Sequence, residues 1–285
     1  MRFGFRNREV VLDAPCLMGI VNVTPDSFSD GGDFFDTGAA FRHCLMLHAE
    51  GAGIIDIGGE STRPNAREVS VEEEINRVVP VIAAVKKQKP ELVISVDTRK
   101  AQVAAAAVEA GADIINDVSG LEYSPEIAEI AAANNTGLVL MHMRGKPENM
   151  QESENLRYED IVSEVTGFLE KAAQKALDYG VKRENIILDP GIGFAKDAEQ
   201  NLLLIREIGK LRASGYPVLA GHSRKSFIGK LLGQENPKDR LAGTIAVTLY
   251  LAQQQVEILR VHDVRENRDA LKMFKFCASA GETRS

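Results

Sequence analysis

Cysteine is scarce in this chain, and the little there is forms no pattern. Cys16, Cys44 and Cys277 lie far apart, are odd in number and show no Cys-x-x-Cys spacing. That excludes a disulfide framework and a cysteine-based structural zinc site, and it fits a reducing cytoplasm. Positive charge is also in deficit: 34 Lys and Arg against 41 Asp and Glu leave a formal net charge of -7. Neither a nucleic acid nor an anionic membrane is expected as a partner, because both call for a basic face. An anionic small molecule would have to be met by a local cluster of cations. No stretch approaches the roughly 18 apolar residues of a membrane span, and the opening MRFGFRNREVVLDAP has no continuous apolar segment of signal-peptide length. A soluble protein that is not exported is expected. No Pro/Gly/Ser-rich linker, charge run or short-period repeat divides the chain. With 285 residues, 44% of them hydrophobic, it can bury a large core.

What the chain does have is eight short apolar runs, at 16–22, 53–59, 92–98, 113–119, 138–144, 185–191, 217–223 and 256–263. Most are too short and too continuously apolar for half-exposed strands, as a parallel sheet covered by helices demands. Helical patterns lie between them. Ser70 with Glu73 three residues on predicts a capping box before VEEEINRVVPVIAAVKK, and Ser124 before Pro125 predicts an N-cap followed by proline. Further helices are expected over TGAAFRHCLMLHAEGA, RKAQVAAAAVEAGA, YEDIVSEVTGFLEKAAQKALDYG, DAEQNLLLIREIGKLRASG and KDRLAGTIAVTLYLAQQQ. The alternation predicts an α/β fold, a single (β/α)8 barrel domain over 1–285, with an open doubly wound sheet as the runner-up. Residues 1–15 are expected to form a short N-terminal β-hairpin that closes the bottom of the barrel.

In such a barrel the functional site is built at the C-terminal ends of the strands. Here those ends carry Asn22, Asp56 with Glu60, Asp97, Asn116 with Asp117, His142, Asp189, His222 to Lys225, and Arg260 with His262. Each alone has a bland reading. Asp97 with Thr98, or Asp117, would serve as a helix cap, and Asp56 as an interior carboxylate held by a neighbouring strand's backbone. For Asp56 and Asp117 the two readings stand level. Asp189, ending an apolar strand before a Pro-Gly turn, points to function, and Arg260 and His262, two apart in a strand, share a face and point to an anion. GHSRKS lacks the second glycine of a phosphate loop, and GIGFAK has Lys196 where a dinucleotide fingerprint needs glycine. The absence of HExxH and GxSxG disfavours a tightly held metal or a serine nucleophile, and oxygen donors such as Asn22 better suit loosely held Mg²⁺. Spacing leads to a barrel enzyme with an anion site near Arg63, Lys225, Arg260 and His262, and leaves the substrate open.

MGIVNVTPDSFSDGG, DIGGESTRP, ISVDT, IINDVSG, MHMRGKPENMQ, ILDPGIGF, HSRKSFIG, RLAGTIA and RVHDV, in this order, resemble the dihydropteroate synthase family of folate biosynthesis. The resemblance implies a reaction of 6-hydroxymethyl-7,8-dihydropterin pyrophosphate with 4-aminobenzoate, giving 7,8-dihydropteroate and pyrophosphate, with Mg²⁺. It implies a pterin pocket of Asp97, Asn116, Met141, Asp189, Lys225 and Arg260, and a diphosphate and Mg²⁺ site of Asn22, Arg63, Arg260 and His262. Phe194 and Ser226, with Thr62, Arg63 and Pro64, would meet 4-aminobenzoate. Asp97 and Lys225 would act in catalysis, and Phe28 and Asp30 would close over the site from a mobile loop. A homodimer through helices late in the barrel is implied as well. Asn65 and Ala195 stand where the family usually has glycine, and His222 where it has a small residue. The rivals are a methyltetrahydrofolate-dependent corrinoid methyltransferase barrel and a catalytically silent pterin-binding paralogue.

Overall fold

The eight apolar runs become eight parallel strands in the computed structural model, which describes residues 2–6, 8–11, 15–24, 37–61, 68–145, 150 and 152–280. After a hairpin of β1 (Arg2–Phe5) and β2 (Arg8–Val11) come β3 (Cys16–Asn22), β4 (Ile54–Gly58), β5 (Val93–Asp97), β6 (Ile114–Asp117), β7 (Gly137–Met141), β8 (Ile186–Asp189), β9 (Leu219–Ala220) and β10 (Ile258–Val261). Hydrogen bonding runs β8-β7-β6-β5-β4-β3-β10-β9. The ring closes between β8 and β9 through a single parallel bridge, Leu188 to Val218, with the Leu188 N–H donating to the Pro217 carbonyl at 3.0 Å. A buried carboxylate reinforces this short seam. Glu257 accepts the Val218 N–H at 3.0 Å and pairs with Arg212 at 2.7 Å.

Helices cover the outside: α1 (Thr37–Glu50), α2 (Val71–Gln88), α3 (Ala101–Glu109), α4 (Glu126–Asn134), α5 (Ile161–Asp178), α6 (Ala198–Arg206), α7 (Ile208–Arg212), α8 (Ser226–Leu232), α9 (Leu241–Gln253) and α10 (Val264–Ser279). Ser70 caps α2 by accepting the Glu73 N–H at 3.2 Å, but the Glu73 carboxylate turns to Arg77, one turn on, so only half of the expected capping box forms. For α4 the capping position is Pro125, with no side-chain cap bond, and the Ser124 carbonyl takes the Ile127 N–H. The pattern read as one helix over 197–215 is two helices, interrupted at Glu207. Asp197 and Gln200 supply a complete capping box for the first of these.

Because strand side chains alternate, each strand sends every second residue into the barrel. The lowest inward set, Met18, Ile54, Ile114, Val139, Ile187, Leu219 and Ile258, packs with Phe3 and Phe5 of the hairpin into one cluster. The hairpin therefore plugs the bottom, as the sequence predicts. Phe3 comes so close to β7 that a Cβ on Gly137 would lie 2.5 Å from its ring, which explains the glycine there. One step up, the inward set changes character: Ile20, Asp56, Ser95, Asn116, Met141, Asp189, Gly221 and Arg260 follow the lower residues, and Val93 packed against them, at an interval of two. The bottom is apolar and the top is mostly polar.

Phe3 is 1% exposed. Phe3→Ala is expected to cost about 3–5 kcal/mol, measured by urea denaturation. Kinetic constants should stay near wild type, because the plug sits at the opposite end from the polar mouth.

Candidate active site

Arg260, inward on β10, bridges two carboxylates: its Nε donates to Asp56 Oδ2 and its Nη2 to Asp97 Oδ2, each at 2.6 Å. Asn116 adds an N–H to the same Asp56 oxygen at 3.1 Å. Asp56 is thus held by side chains across the barrel, not by a neighbouring strand's backbone as one sequence reading had it. Two buried anions share one guanidinium, so their mutual repulsion is only partly answered. Burial pushes the Asp97 carboxyl up to about 7, Arg260 pulls it down, and Asp56 pushes it up again. The Arg260 pKa stands above its ordinary value: burial opposes that shift, and the Asp56 and Asp97 charges outweigh it. Among the described residues, Asp56 Oδ1, Asn116 Oδ1 and Ser95 Oγ are buried with no hydrogen-bond partner. Two of the three are acceptors only, so the floor of this mouth is chemically fitted to take N–H donors from a bound molecule.

Asp189 stands across from this group, with one oxygen accepting the Gly191 N–H at 2.7 Å. Burial raises it to about 6, against the pull of Gly191, Lys225 and Arg260. Lys225 is held at about 7 by burial and by Arg260, despite Asp189 and Asp97. Its Nζ lies 3.7 Å from the centroid of the Phe194 ring, a cation over a π face. Phe194, Met141, Met150, Val118 and Ala195 form an apolar cluster of their own beside it. The mouth therefore offers carboxylate and amide acceptors on one side, a lysine donor on another and an apolar wall.

His262 is fixed to the neighbouring strand end. Its backbone N–H donates to Ser223 Oγ at 3.2 Å, and its Nδ1 lies 3.0 Å from the same hydroxyl. The hydroxyl has two lone pairs and one hydrogen, so it can meet Nδ1 in either imidazole tautomer. Arg224 pairs with Asp263 one residue further along. Asn22 ends β3, half-buried, in one register row with Gly58 and Asp97. A Cβ at Gly58 would meet the Asp97 side chain at 3.4 Å, an ordinary van der Waals contact, so the two strand ends lie side by side. Ser226 opens α8 and is exposed. Phe28, Asp30, Thr62, Arg63, Pro64 and Asn65 lie outside the described residues.

Three members of the expected ring do not reach the mouth, and all three have outward parity. Asp117 wraps its own turn, accepting from the Ser119 N–H and hydroxyl and from the Leu121 N–H. The capping reading prevails there. His222 meets Thr248 of α9 at 2.7 Å, and Thr248 in turn meets Asn267 of α10 at 2.6 Å, in the outer layer. Burial holds this imidazole down, to about 4. His142 lies behind β7 against the Phe168 ring and Lys196. Glu60, past the end of β4, joins a buried network in which Lys100 reaches Glu60 at 2.6 Å and Glu74 at 2.7 Å, and Arg99 reaches Glu60 at 3.2 Å. Lys100 and Arg99 are absent from the sequence-derived ring, and Lys196 enters the sequence reading only as a mismatch to a dinucleotide fingerprint; their one signal is a Lys or Arg placed just after a strand-end motif. Ala195 has a positive φ of 47°, a left-handed conformation that suits the glycine usual at this position.

A closed barrel with buried acceptors, a lysine donor and an apolar wall at the C-terminal mouth has the build of a barrel enzyme with a small-molecule site there. A profile of the pterin binding enzyme family matches residues 18–262. Dihydropteroate synthase of Synechocystis sp. is 48% identical over 248 residues, covering 87% of this chain and 85% of its own length. A structure of Xanthomonas albilineans dihydropteroate synthase with 4-aminobenzoic acid superposes with a TM-score of 0.90 at 45% identity, covering 98% of both chains. The same enzyme in complex with 7,8-dihydropteroate gives 0.87 at 42% identity, over 98% of this chain and 99% of that one. The chain belongs to the dihydropteroate synthase family of pterin-binding enzymes.

Arg260→Met is expected to cost about 3–5 kcal/mol near pH 8, because it leaves buried carboxylates uncompensated. The deficit should shrink at pH 5. A carboxyl whose folded pKa is raised takes up a proton more readily in the folded state; the stability this confers is complete below the unfolded value and is lost as pH rises through about 7 for Asp97. Without Arg260 that loss is steeper. Urea titrations at the two pH values measure the difference.

Proposed function

We propose that this chain joins 6-hydroxymethyl-7,8-dihydropterin pyrophosphate to 4-aminobenzoate, releasing pyrophosphate and forming 7,8-dihydropteroate. The observation that carries this reading is the Arg260 bridge between Asp56 and Asp97, set between buried, unpartnered acceptors and Lys225. The amidine-like edge of a pterin presents N–H groups that Asp189 can accept as a pair. Asn116 and Asp97 take further ring donors, Lys225 donates to the ring carbonyl and nitrogen, and Met141 lines the pocket. Arg260 carries its charge to the ring face and, with His262 and Arg63, to the diphosphate. Phe194 and Ser226, with Thr62 and Pro64, receive 4-aminobenzoate.

The chemistry asks for stabilised charge and no protein nucleophile. The C–O bond from the pterin methylene to diphosphate breaks, its electron pair leaving with the diphosphate. The cation left behind is conjugated with the dihydropterin, and Asp97 faces that positive charge. The amine of 4-aminobenzoate then forms the new C–N bond and loses a proton. Phe28 and Asp30, outside the described residues, are assigned a catalytic role by the family resemblance alone. Mg²⁺, when bound, offsets diphosphate charge; the oxygen of Asn22 would hold it together with substrate oxygens, which suits a hard cation that binds through few protein ligands. The relatives named above support this reading over a corrinoid methyltransferase or a silent paralogue.

The reading extends to assembly and location. Leu231 and Leu232 of α8, Tyr250 of α9, and Met273 and Phe276 of α10 are exposed at 52%, 52%, 43%, 59% and 68%. These neighbouring late helices would bury that apolar surface against a second copy of the chain, giving a homodimer. Three free thiols are in keeping with a cytoplasmic protein. Sedimentation equilibrium tests the dimer.

Purified protein with Mg²⁺, the pterin pyrophosphate and 4-aminobenzoate should release pyrophosphate; no release above a Lys225→Ala control overturns the assignment. Asp189→Ala should abolish pterin binding by calorimetry, and near-normal affinity would remove that role. The pH profile of kcat/KM for the pterin substrate should be bell-shaped. It should rise as Asp189 ionises through about 6 and fall as Lys225 loses its proton through about 7. A flat profile between pH 5 and 9 would contradict the ionic roles of both groups.

A further inference from the structure

The lysine that disqualifies GIGFAK as a dinucleotide fingerprint is buried, with 3% exposure, and has no role in the chemistry above. Lys196 turns back under its own loop. Its Nζ reaches the carbonyl of Gly191 at 3.0 Å, the carbonyl of Phe194 at 2.8 Å and Nδ1 of His142 at 3.0 Å. Three contacts match the three N–H groups of an ammonium. They equally match a neutral amine, which donates to both carbonyls and accepts from an Nδ1–H. Burial and the charges of Lys225 and Arg144 bring Lys196 down to about 7, against Asp189, so both forms lie within working range and both are fully bonded. The clip holds in either state.

What it clips is the loop 190–195. Gly191 and Gly193 have φ of 67° and 85°, and Ala195 has 47°, so the segment coils through left-handed positions that side-chain contacts must secure. Gly191 runs so close beneath β7 that a Cβ there would lie 2.0 Å from the His142 carbonyl oxygen. Asn201 holds the Gly193 N–H at 2.6 Å and Tyr158 holds the Ala195 carbonyl at 3.1 Å. The Phe194 N–H already donates to the Gly191 carbonyl at 3.0 Å, and Lys196 ties both of these residues to His142 at the end of β7. Phe194, fixed in this way, presents its ring to Lys225.

We infer that Lys196 is a positioning residue, which sets Phe194 against Lys225 and thereby shapes the half of the mouth that receives the aromatic amine. Of the pterin half, Asp56, Asp97 and Asn116 are held separately by Arg260, and the loop touches that half only at its edge, through the Gly191 N–H on Asp189 and the Phe194 ring under Lys225 and beside Met141. Loss of the clip should therefore be felt unequally by the two substrates. This inference rests on the proposed reaction, and the wild-type protein assayed in parallel keeps the two apart: if wild type releases no pyrophosphate, the reaction is wrong.

The test is Lys196→Met, which keeps the length and apolar stem and removes the donors. With wild type active, KM for 4-aminobenzoate should rise about tenfold or more. The Kd of the pterin pyrophosphate, measured by calorimetry without 4-aminobenzoate, should stay within about twofold. Phe194→Leu should show the same asymmetry, and the double variant should add little to either single one, since both changes act through one ring. Equal losses for both substrates, an unchanged KM for 4-aminobenzoate, or full additivity with Phe194→Leu overturns the inference. If Lys196→Met does not accumulate folded, as judged by its melting transition, the same comparison is made with Lys196→Gln and His142→Gln. A smaller rise confined to 4-aminobenzoate supports the clip, and no rise in either overturns it.

Discussion

One guanidinium organises the mouth of this barrel. Arg260 sits between Asp56 and Asp97, on strands that are neither its own nor its neighbours in the ring, so the bridge spans the lumen and sets the relative positions of β10, β4 and β5. Removing the charge would strand two buried carboxylates; removing either carboxylate would lower the compensation of the cation. Such an arrangement is a poor way to gain stability, because desolvating three charges offsets most of their attraction. It is a good way to hold a polar surface rigid where a ligand must be read by hydrogen bonds. Burial is the first cause of the pKa shifts at Asp189 and Lys225, and Arg260 then lowers both while Asp97 raises Lys225.

The rest of the fold isolates that polar layer. Below it the barrel is filled by apolar inward residues and stoppered by Phe3 and Phe5. Around it, the strand-end loops are fixed by contacts of their own: Ser223 to His262, Arg224 to Asp263, Lys196 to the Phe194 loop, and Lys100 with Arg99 to Glu60. These buried or half-buried ion pairs and charged hydrogen bonds turn loops into extensions of the sheet. A site that must place a pterin, a diphosphate and an arylamine at once gains from that rigidity, since small displacements of reacting groups are costly in rate.

Much of this was legible in the sequence. The eight strands fall where eight apolar runs lie, because a parallel strand covered on both faces needs continuous β-branched and aliphatic residues. The hairpin plug followed from the FGF and EVV segments. The reading of the mouth was less clean, for a reason that is itself simple. Polarity at a strand end does not by itself place a side chain in the mouth: Asn116–Asp117, Met141–His142 and Gly221–His222 are adjacent pairs of which only the first member points inward. A count in steps of two from Ile114, Val139 and Leu219 would have sent Asp117, His142 and His222 to the outer layer. Helix breaks were harder to see: Glu207 is an ordinary helix former, and the one local sign of the division between α6 and α7 is Gly209, two residues on.

By itself the sequence determined the barrel, its plug and its family, since periodicity, turn chemistry and ordered motifs act over neighbouring residues and survive without knowledge of the third dimension. The tertiary structure decided which charges meet. Asp56 and Arg260 are 204 residues apart, Asp97 and Arg260 163, and no local pattern says that one cation will serve both carboxylates. The Lys196 clip is the opposite case, its two carbonyls lying within five residues of it. There the distance along the chain is short, but the coil that folds the loop over its own lysine exists only once β7 and His142 lie beneath it.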